Sequence, residues 1–391
     1  MKGRFDVVIS GCGLAGAALA KLVARRGASV LVVERRALGG DKVCGEFLAT
    51  EGCAVLGRLG LLDALRSHGA PRVTDFRITD LTGRCLDGIL PPVGGGSQGL
   101  GISRAVLDAM VAESARSAGA IVLERHETAA PELRDGRVTG IYLRERGRAS
   151  APRRIEAALF VAADGRRSVL ARRLHPELCK PPLAGDRAWF GLKTHLAGDP
   201  DRLRGRVELH LFDGGYAGLV GVEGQRLNLC ALVRVRALRG CGGRPERLLR
   251  ERILANPAAR ESIGDPRTLG RFEAIGPLRW GPRKPAAGGV LFVGDAAGTI
   301  DPFSGHGMSH ALRSAELALP WVMEALERGA LEDDLARGFS ETWRRNFDDG
   351  RRRRVRRLGL LFERPRLAGV AVRLLRGPAS AWVPRLAAST R

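Results

Sequence analysis

Unbroken apolar runs and alternating ones divide this chain into two kinds of segment. Phe5–Ser10, Ser29–Val33, the run from Leu159 and the run from Val290 are predominantly apolar over four to six residues. Such runs predict strands buried on both faces, as in a parallel sheet. Between the first two, an alanine-rich stretch predicts a helix to about Arg26, stopped by Gly27. By contrast, "RAWFGLKTHLAG", "RVELHLFDGGYAGLVGVEG" and "RLNLCALVRV" alternate with a period of two and are broken by glycine turns. They predict an inserted antiparallel sheet, with Trp189, Phe190, Leu211, Tyr216, Leu219 and Leu229 as its floor. Phe339, Trp343 and Phe347 repeat every four residues, a helical core stripe. The expected fold is α/β with an α+β insertion and a helical C-terminus. Residues 1–74, 100–182 and 276–330 would form the first unit, 75–99 and 183–275 the insertion, and 331–391 a basic helical segment.

Composition changes this picture little. The 391 residues are 45% hydrophobic, enough for a full core. No run approaches the roughly 18 uncharged apolar residues of a membrane span, and "MKGRFDVVISG" enters a strand at once. A cytoplasmic protein is expected. The net charge of +22 could point to nucleic acid or an anionic membrane. Yet only six of the 64 basic residues are Lys, and Arg is spread along the whole chain, as codon bias would produce. No aromatic–basic interleaving or other nucleic-acid signature accompanies it, so no nucleic-acid partner is expected. The segment 343–375 places Val355, Leu358 and Phe362 beside several Arg, a pattern able to touch a membrane surface peripherally. Seven Cys without a C-x-x-C pair suggest reduced thiols, not a disulfide framework or a zinc site.

The chemistry sits at the ends of the apolar runs. After the first strand comes Gly11-x-Gly13-x-x-Gly16, then the helix, then a strand closed by Glu34 and Arg35. Gly11 permits the tight turn, Gly13 lets the backbone approach a pyrophosphate, and Gly16 lets helix and strand pack. The helix N-terminus offers free N–H groups to phosphates, and Glu34 has the spacing for a ribose 2′-OH. This is a Rossmann-type dinucleotide unit, which by itself does not separate FAD from NAD. The run from Leu159 leads into Asp164-Gly165. The run from Val290 leads into Gly294-Asp295, then Pro302, Gly305, His306 and Gly307 at the start of a helix.

Together with Arg104 in "ISRAVLDAMVAESARSAGA", these motifs make the chain resemble FAD-dependent oxidoreductases of the para-hydroxybenzoate hydroxylase fold. That group holds aromatic hydroxylases, flavin halogenases and geranylgeranyl-reductase-like enzymes. The resemblance covers residues 5 to about 325. It implies FAD, with Asp295 on the ribityl or pyrophosphate side, Asp164 near the pyrophosphate and Arg104 approaching the cofactor. The "PFSGHGMSHAL" turn would bring a helix dipole to the flavin edge where negative charge collects. NAD(P)H is the expected reductant, without a second dinucleotide unit of its own.

Two reactions remain open. The first reading is a monooxygenase that hydroxylates an apolar aromatic or polyketide-like molecule through a flavin hydroperoxide. The alternative is a carbon–carbon double-bond reductase acting on an isoprenoid or polyketide. A third class is a non-catalytic, membrane-associated flavin protein. "DKVCGEFL" at 41–48 resembles the reductase-like relatives, whereas "LGRLGL" at 56–61 resembles hydroxylases. Tyr216 lies in a segment similar to the reductases' P-x-x-Y-x-W-x-F, but the Pro, Trp and Phe are absent. The halogenases' Trp-x-Trp-x-Ile-Pro stretch is absent as well. Cys44 and Tyr216 are the candidate catalytic residues. Cys44 and Gly45 are also expected beside the flavin ring, where Gly45 lets the backbone pass close.

Overall fold

The computed structural model describes residues 4–92, 98–148, 151–179 and 184–347. The continuous apolar runs form the centre of an eight-stranded sheet. Its parallel order is Val290–Phe292, Arg153–Ala162, Arg4–Ser10, Val30–Val33 and Ile121–Leu123. Val7, Ile9, Leu31, Val32, Val161 and Leu291 are wholly buried, as strands covered on both faces require. The helices Leu14–Ala24, Arg104–Ser117 and Gly307–Glu327 cover the sheet through one continuous core. A hairpin, His126–Arg134 with Arg137–Glu145, adds antiparallel strands to Arg153–Ala162.

The alternating runs form a second eight-stranded sheet. Trp189–Ala197, Arg226–Arg234, Gly215–Val222 and Arg206–Phe212 follow one another antiparallel. Asp75–Thr79 and Cys85–Ile89 complete the path. One junction departs from the antiparallel expectation: Arg206–Phe212 runs parallel to Asp75–Thr79. The physical reason is connectivity, since the two strands are separated by a full excursion through the first sheet.

Period two assigns the second sheet's faces. Trp189, Leu211, Tyr216 and Leu232 gather on one face with Leu278. Leu192, Phe212, Ala217, Leu227 and Leu229 belong to the core on the other, beside Leu248, Leu249, Ile253 and Ile263. The expected floor is therefore corrected. Phe190 and Leu229 belong to this second core, and Trp189 and Phe190 must diverge because they are adjacent in one strand. The helix Asp333–Phe347 buries Phe339, Trp343 and Phe347 in the first core, with ring centroids of neighbours 5.8 and 4.6 Å apart. The basic stretch containing Val355, Leu358 and Phe362 lies outside the described residues.

Candidate active site

The glycine turn performs three different tasks. Gly11 has φ +103°, and its N–H donates to the Val33 carbonyl at 2.8 Å. A Cβ there would lie 2.5 Å from the Ala163 oxygen. At Gly16 a Cβ would lie 2.0 Å from the Gly11 oxygen, so this residue packs helix on turn. At Gly13 a Cβ would meet nothing within 4 Å, since the position faces open space. Gly13 is also the N-cap of Leu14–Ala24 and leaves that terminus without a side-chain cap. The first N–H groups of the helix are thus available to a ligand. Glu34 is buried. Its carboxylate accepts from the N–H groups of Cys12 and Arg36, both at 3.0 Å, so it braces the turn as well as facing the cavity.

The other two strand ends converge on the same space. Asp164 accepts from the Val169 N–H at 2.9 Å through Oδ2, while its buried Oδ1 has no partner. Burial pushes the Asp164 carboxyl above its ordinary range, partly offset by hydrogen bonds from Ser168 and Val169. Gly294 and Gly305 take the left-handed conformation, at φ +58° and +67°. They turn the chain into the helix Gly307–Glu327, whose N-terminus also lacks a side-chain cap. His306 precedes that helix and bonds the Ser304 carbonyl. His310 points away, ring-to-edge with Trp343 and Phe347 at 5.5 and 4.5 Å.

A single cavity of about 1600 Å³ joins these pieces. Gly11, Gly13, Glu34, Arg35, Cys44, Gly45, Arg104, Asp164, Gly165, Gly294, Asp295, Pro302, Gly305, His306 and Gly307 line it, as does Tyr216. Gly16 alone of the expected site residues does not. The second sheet adds an apolar wall that includes Phe76, Ile78, Leu86, Leu209, Leu219 and Leu232. Tyr216 stacks edge-on to Phe303, centroids 5.9 Å apart. The space exceeds the roughly 300–1000 Å³ of a single small-molecule site, so it can hold a cofactor and a second molecule.

Arg104 lines the cavity and is also bonded away from it. Its guanidinium makes two bonds of 2.8 Å to Asp108, and Lys42 Nζ joins the same carboxylate at 2.6 Å. Burial works against the Arg104 charge, and Asp108 together with the Cys44 side chain more than restores it. Arg104 thus anchors the 41–48 loop, and Lys42 is directed to Asp108.

That loop carries charges that sequence reasoning missed. Glu46 is fully buried at φ +54°. Its carboxylate accepts from Lys193 Nζ at 2.7 Å and from the Arg104 N–H at 2.8 Å, and it pairs with His195 Nε2 at 2.7 Å. Lys193 also reaches Asp41 at 3.0 Å. Asp41, Glu46 and His195 have donor spacing suited to an ion, but the ammonium of Lys193 already bonds both carboxylates. Burial lowers the Lys193 pKa and its two carboxylate partners outweigh it, so the net shift is upward and the side chain stays charged. A signal for these residues existed. Lys193 and His195 are polar at alternate positions of a buried strand, and Lys193 is one of only six Lys.

A family model described as "FAD binding domain" matches residues 4–345. The chain belongs to this FAD-binding family. The chain is 26% identical over 355 residues to the digeranylgeranylglycerophospholipid reductase of Methanosarcina mazei, covering 88% of this chain and 81% of that protein. It is 28% identical over 374 residues to the menaquinone reductase of Mycobacterium tuberculosis, covering 92% and 85%. Among solved structures, the flavin-dependent brominase Bmp2 superposes with TM-score 0.78 at 15% identity, covering 98% and 93%. PqsL of Pseudomonas aeruginosa, a probable FAD-dependent monooxygenase, does so with TM-score 0.74 at 21% identity, covering 94% and 99%. At these identities the two structures speak for the fold alone. FAD suits the groups in the cavity. The uncapped helix behind Gly13 suits its pyrophosphate, Glu34 its ribose, and the unpartnered Asp164 Oδ1 a donor. The protein is an FAD-dependent oxidoreductase. Among the described residues no helix is long and apolar enough to cross a membrane.

Proposed function

We propose that this flavoprotein saturates a carbon–carbon double bond in a long apolar, isoprenoid-like substrate. The observation that carries the reading is the place of Cys44. It lines the cavity where the cofactor unit meets the second sheet, and its carbonyl accepts from Asn228 Nδ2 on that sheet at 3.1 Å. The names of the two sequence relatives support the choice, since both are reductases. Hydroxylation, read first from the sequence, becomes the second reading. The Tyr216–Phe303 pair favours it, because an aromatic wall suits a flat ring.

When bound, FAD supplies the hydride for such a reduction. The chain's own part is to exclude water, align the alkene and provide the proton. The Cys44 thiol gives its proton to the carbon next to the one receiving hydride, and the sulfur regains a proton from solvent once the product has left. Its sulfur accepts from the Glu46 N–H at 3.5 Å and faces Arg104, which fixes where the thiol sits. NAD(P)H is the proposed electron source that restores the reduced cofactor.

The test is to reduce the purified protein under argon with geranylgeranyl lipid or menaquinone present. A product heavier by two hydrogens supports the reading. If product forms only after air is admitted and carries an added oxygen atom, hydroxylation takes its place. Colourless protein unable to take up FAD would overturn both.

A further inference from the structure

The buried charges behind Cys44 are bonded to one another, and of the three only Glu46 borders the cavity. Glu46, Lys193 and His195 are almost inaccessible, whereas Asp41 is partly exposed. Burying three ionisable groups is costly, and a well-packed apolar cluster of similar volume often serves stability as well or better. Glu46 also holds a left-handed backbone conformation, which is unfavourable for a residue other than glycine. Two unfavourable features coincide two residues from Cys44.

The bonds run from this cluster to the thiol. The Glu46 carboxylate is fixed by Lys193 and His195 from the strand Trp189–Ala197 and by the first turn of Arg104–Ser117. With the side chain pinned on these two elements, the backbone N–H of Glu46 points at Cys44 Sγ. On the other side, Asp41 bonds Lys193 and Lys42 bonds Asp108. The turn between them is therefore held at both ends by charge pairs. Lysine is scarce in this chain, yet two of its six lysines serve this one loop. A compact ammonium reaching two carboxylates suits the task better than a planar guanidinium.

We infer that Glu46, Lys193 and His195 are positioning residues that hold the Cys44 turn and aim the Glu46 N–H at its sulfur. The inference rests on the proposed function only for the identity of Cys44 as the reacting group. It predicts a direct effect on the thiol, independent of turnover.

The test measures alkylation of Cys44 by iodoacetamide in the full-length, FAD-loaded protein, by peptide mass spectrometry. Buried Cys12, Cys53 and Cys241 serve as internal references. Glu46→Gln keeps the size and removes the charge, and the rate at Cys44 is expected to fall about tenfold as the N–H contact loosens. Glu46→Gln alone leaves Lys193 buried without its nearer partner and lowers the melting temperature. The double variant Glu46→Gln/Lys193→Met removes both charges, so melting temperature recovers. Alkylation in the double variant is expected to stay slow. Lys193→Arg keeps the positive charge and is expected to lower the rate, because a planar guanidinium does not reach both carboxylates as the ammonium does. A double variant that regains both stability and the wild-type rate would show a purely structural charge cluster and overturn the inference. So would a Glu46→Gln rate within about twofold of wild type. Neither outcome depends on which product the enzyme makes, so failure here and failure of the reductase reading are distinguishable.

Discussion

Gly13 and Gly16 lie three residues apart, yet a methyl group at each meets opposite circumstances. At Gly13 it enters open cavity space with an ordinary φ of −78°. Alanine there fits the backbone and restricts the unfolded chain, so the apo-protein is expected to be unchanged or stabilised by about 0.4–1 kcal/mol. FAD affinity is expected to fall, because the methyl occupies the approach to the helix N-terminus. At Gly16 the methyl overlaps a carbonyl oxygen and must displace helix from strand. Gly16→Ala is expected to cost about 1–3 kcal/mol even without cofactor. Urea melts of apo-protein, beside FAD titrations, separate the two; equal losses of apo stability would contradict the assignment. The three glycine roles were legible in the sequence because they depend on local spacing. Glu46, Lys193 and His195 were not, because their pairing joins residues about 150 positions apart and depends on how a loop lands on a sheet.

Elements show the same division between local and long-range information. The strand Trp189–Ala197 was expected from its alternation, but its facing was not, since the period fixes two faces without saying which one meets the cavity. The short helix Val169–Leu174 ends at His175, a residue no motif singled out. It is fully buried against Phe292, ring centroids 4.9 Å apart, and neither ring nitrogen has a partner. Burial lowers its pKa to about 4 from 6.5. Between those values the unfolded chain binds more protons than the folded one, so stability rises with pH across this window. On acidification from pH 6.5 toward 4, His175 is expected to withdraw on the order of 3 kcal/mol. His175→Leu removes the titrating group, and urea melts of this variant should lose most of that slope while matching or exceeding wild type near pH 5. An unchanged slope would place the acid sensitivity elsewhere.

For the whole molecule, the net charge of +22 raises the question of whether charge or geometry dominates its binding. The Arg residues are spread along the chain, and several pair with neighbouring carboxylates on the surface, such as Arg58 with Glu316 and Arg77 with Asp87. Exposed pairs and unpaired surface Arg act over a Debye length of about 10 Å at 0.1 M salt and about 3 Å at 1 M. Cation-exchange resins, polyanions and anionic vesicles are therefore expected to bind the protein at low salt and release it at high salt. FAD should behave differently, because the backbone N–H groups of the uncapped helix behind Gly13 would hold its pyrophosphate inside a cavity where salt screens poorly. Dialysis against 1 M sodium chloride, roughly the limit at which surface attraction is quenched, is expected to leave the protein yellow while abolishing its retention on the resin. Loss of FAD in step with loss of resin binding would mean that the surface charge, and not the three strand-end turns, holds the cofactor.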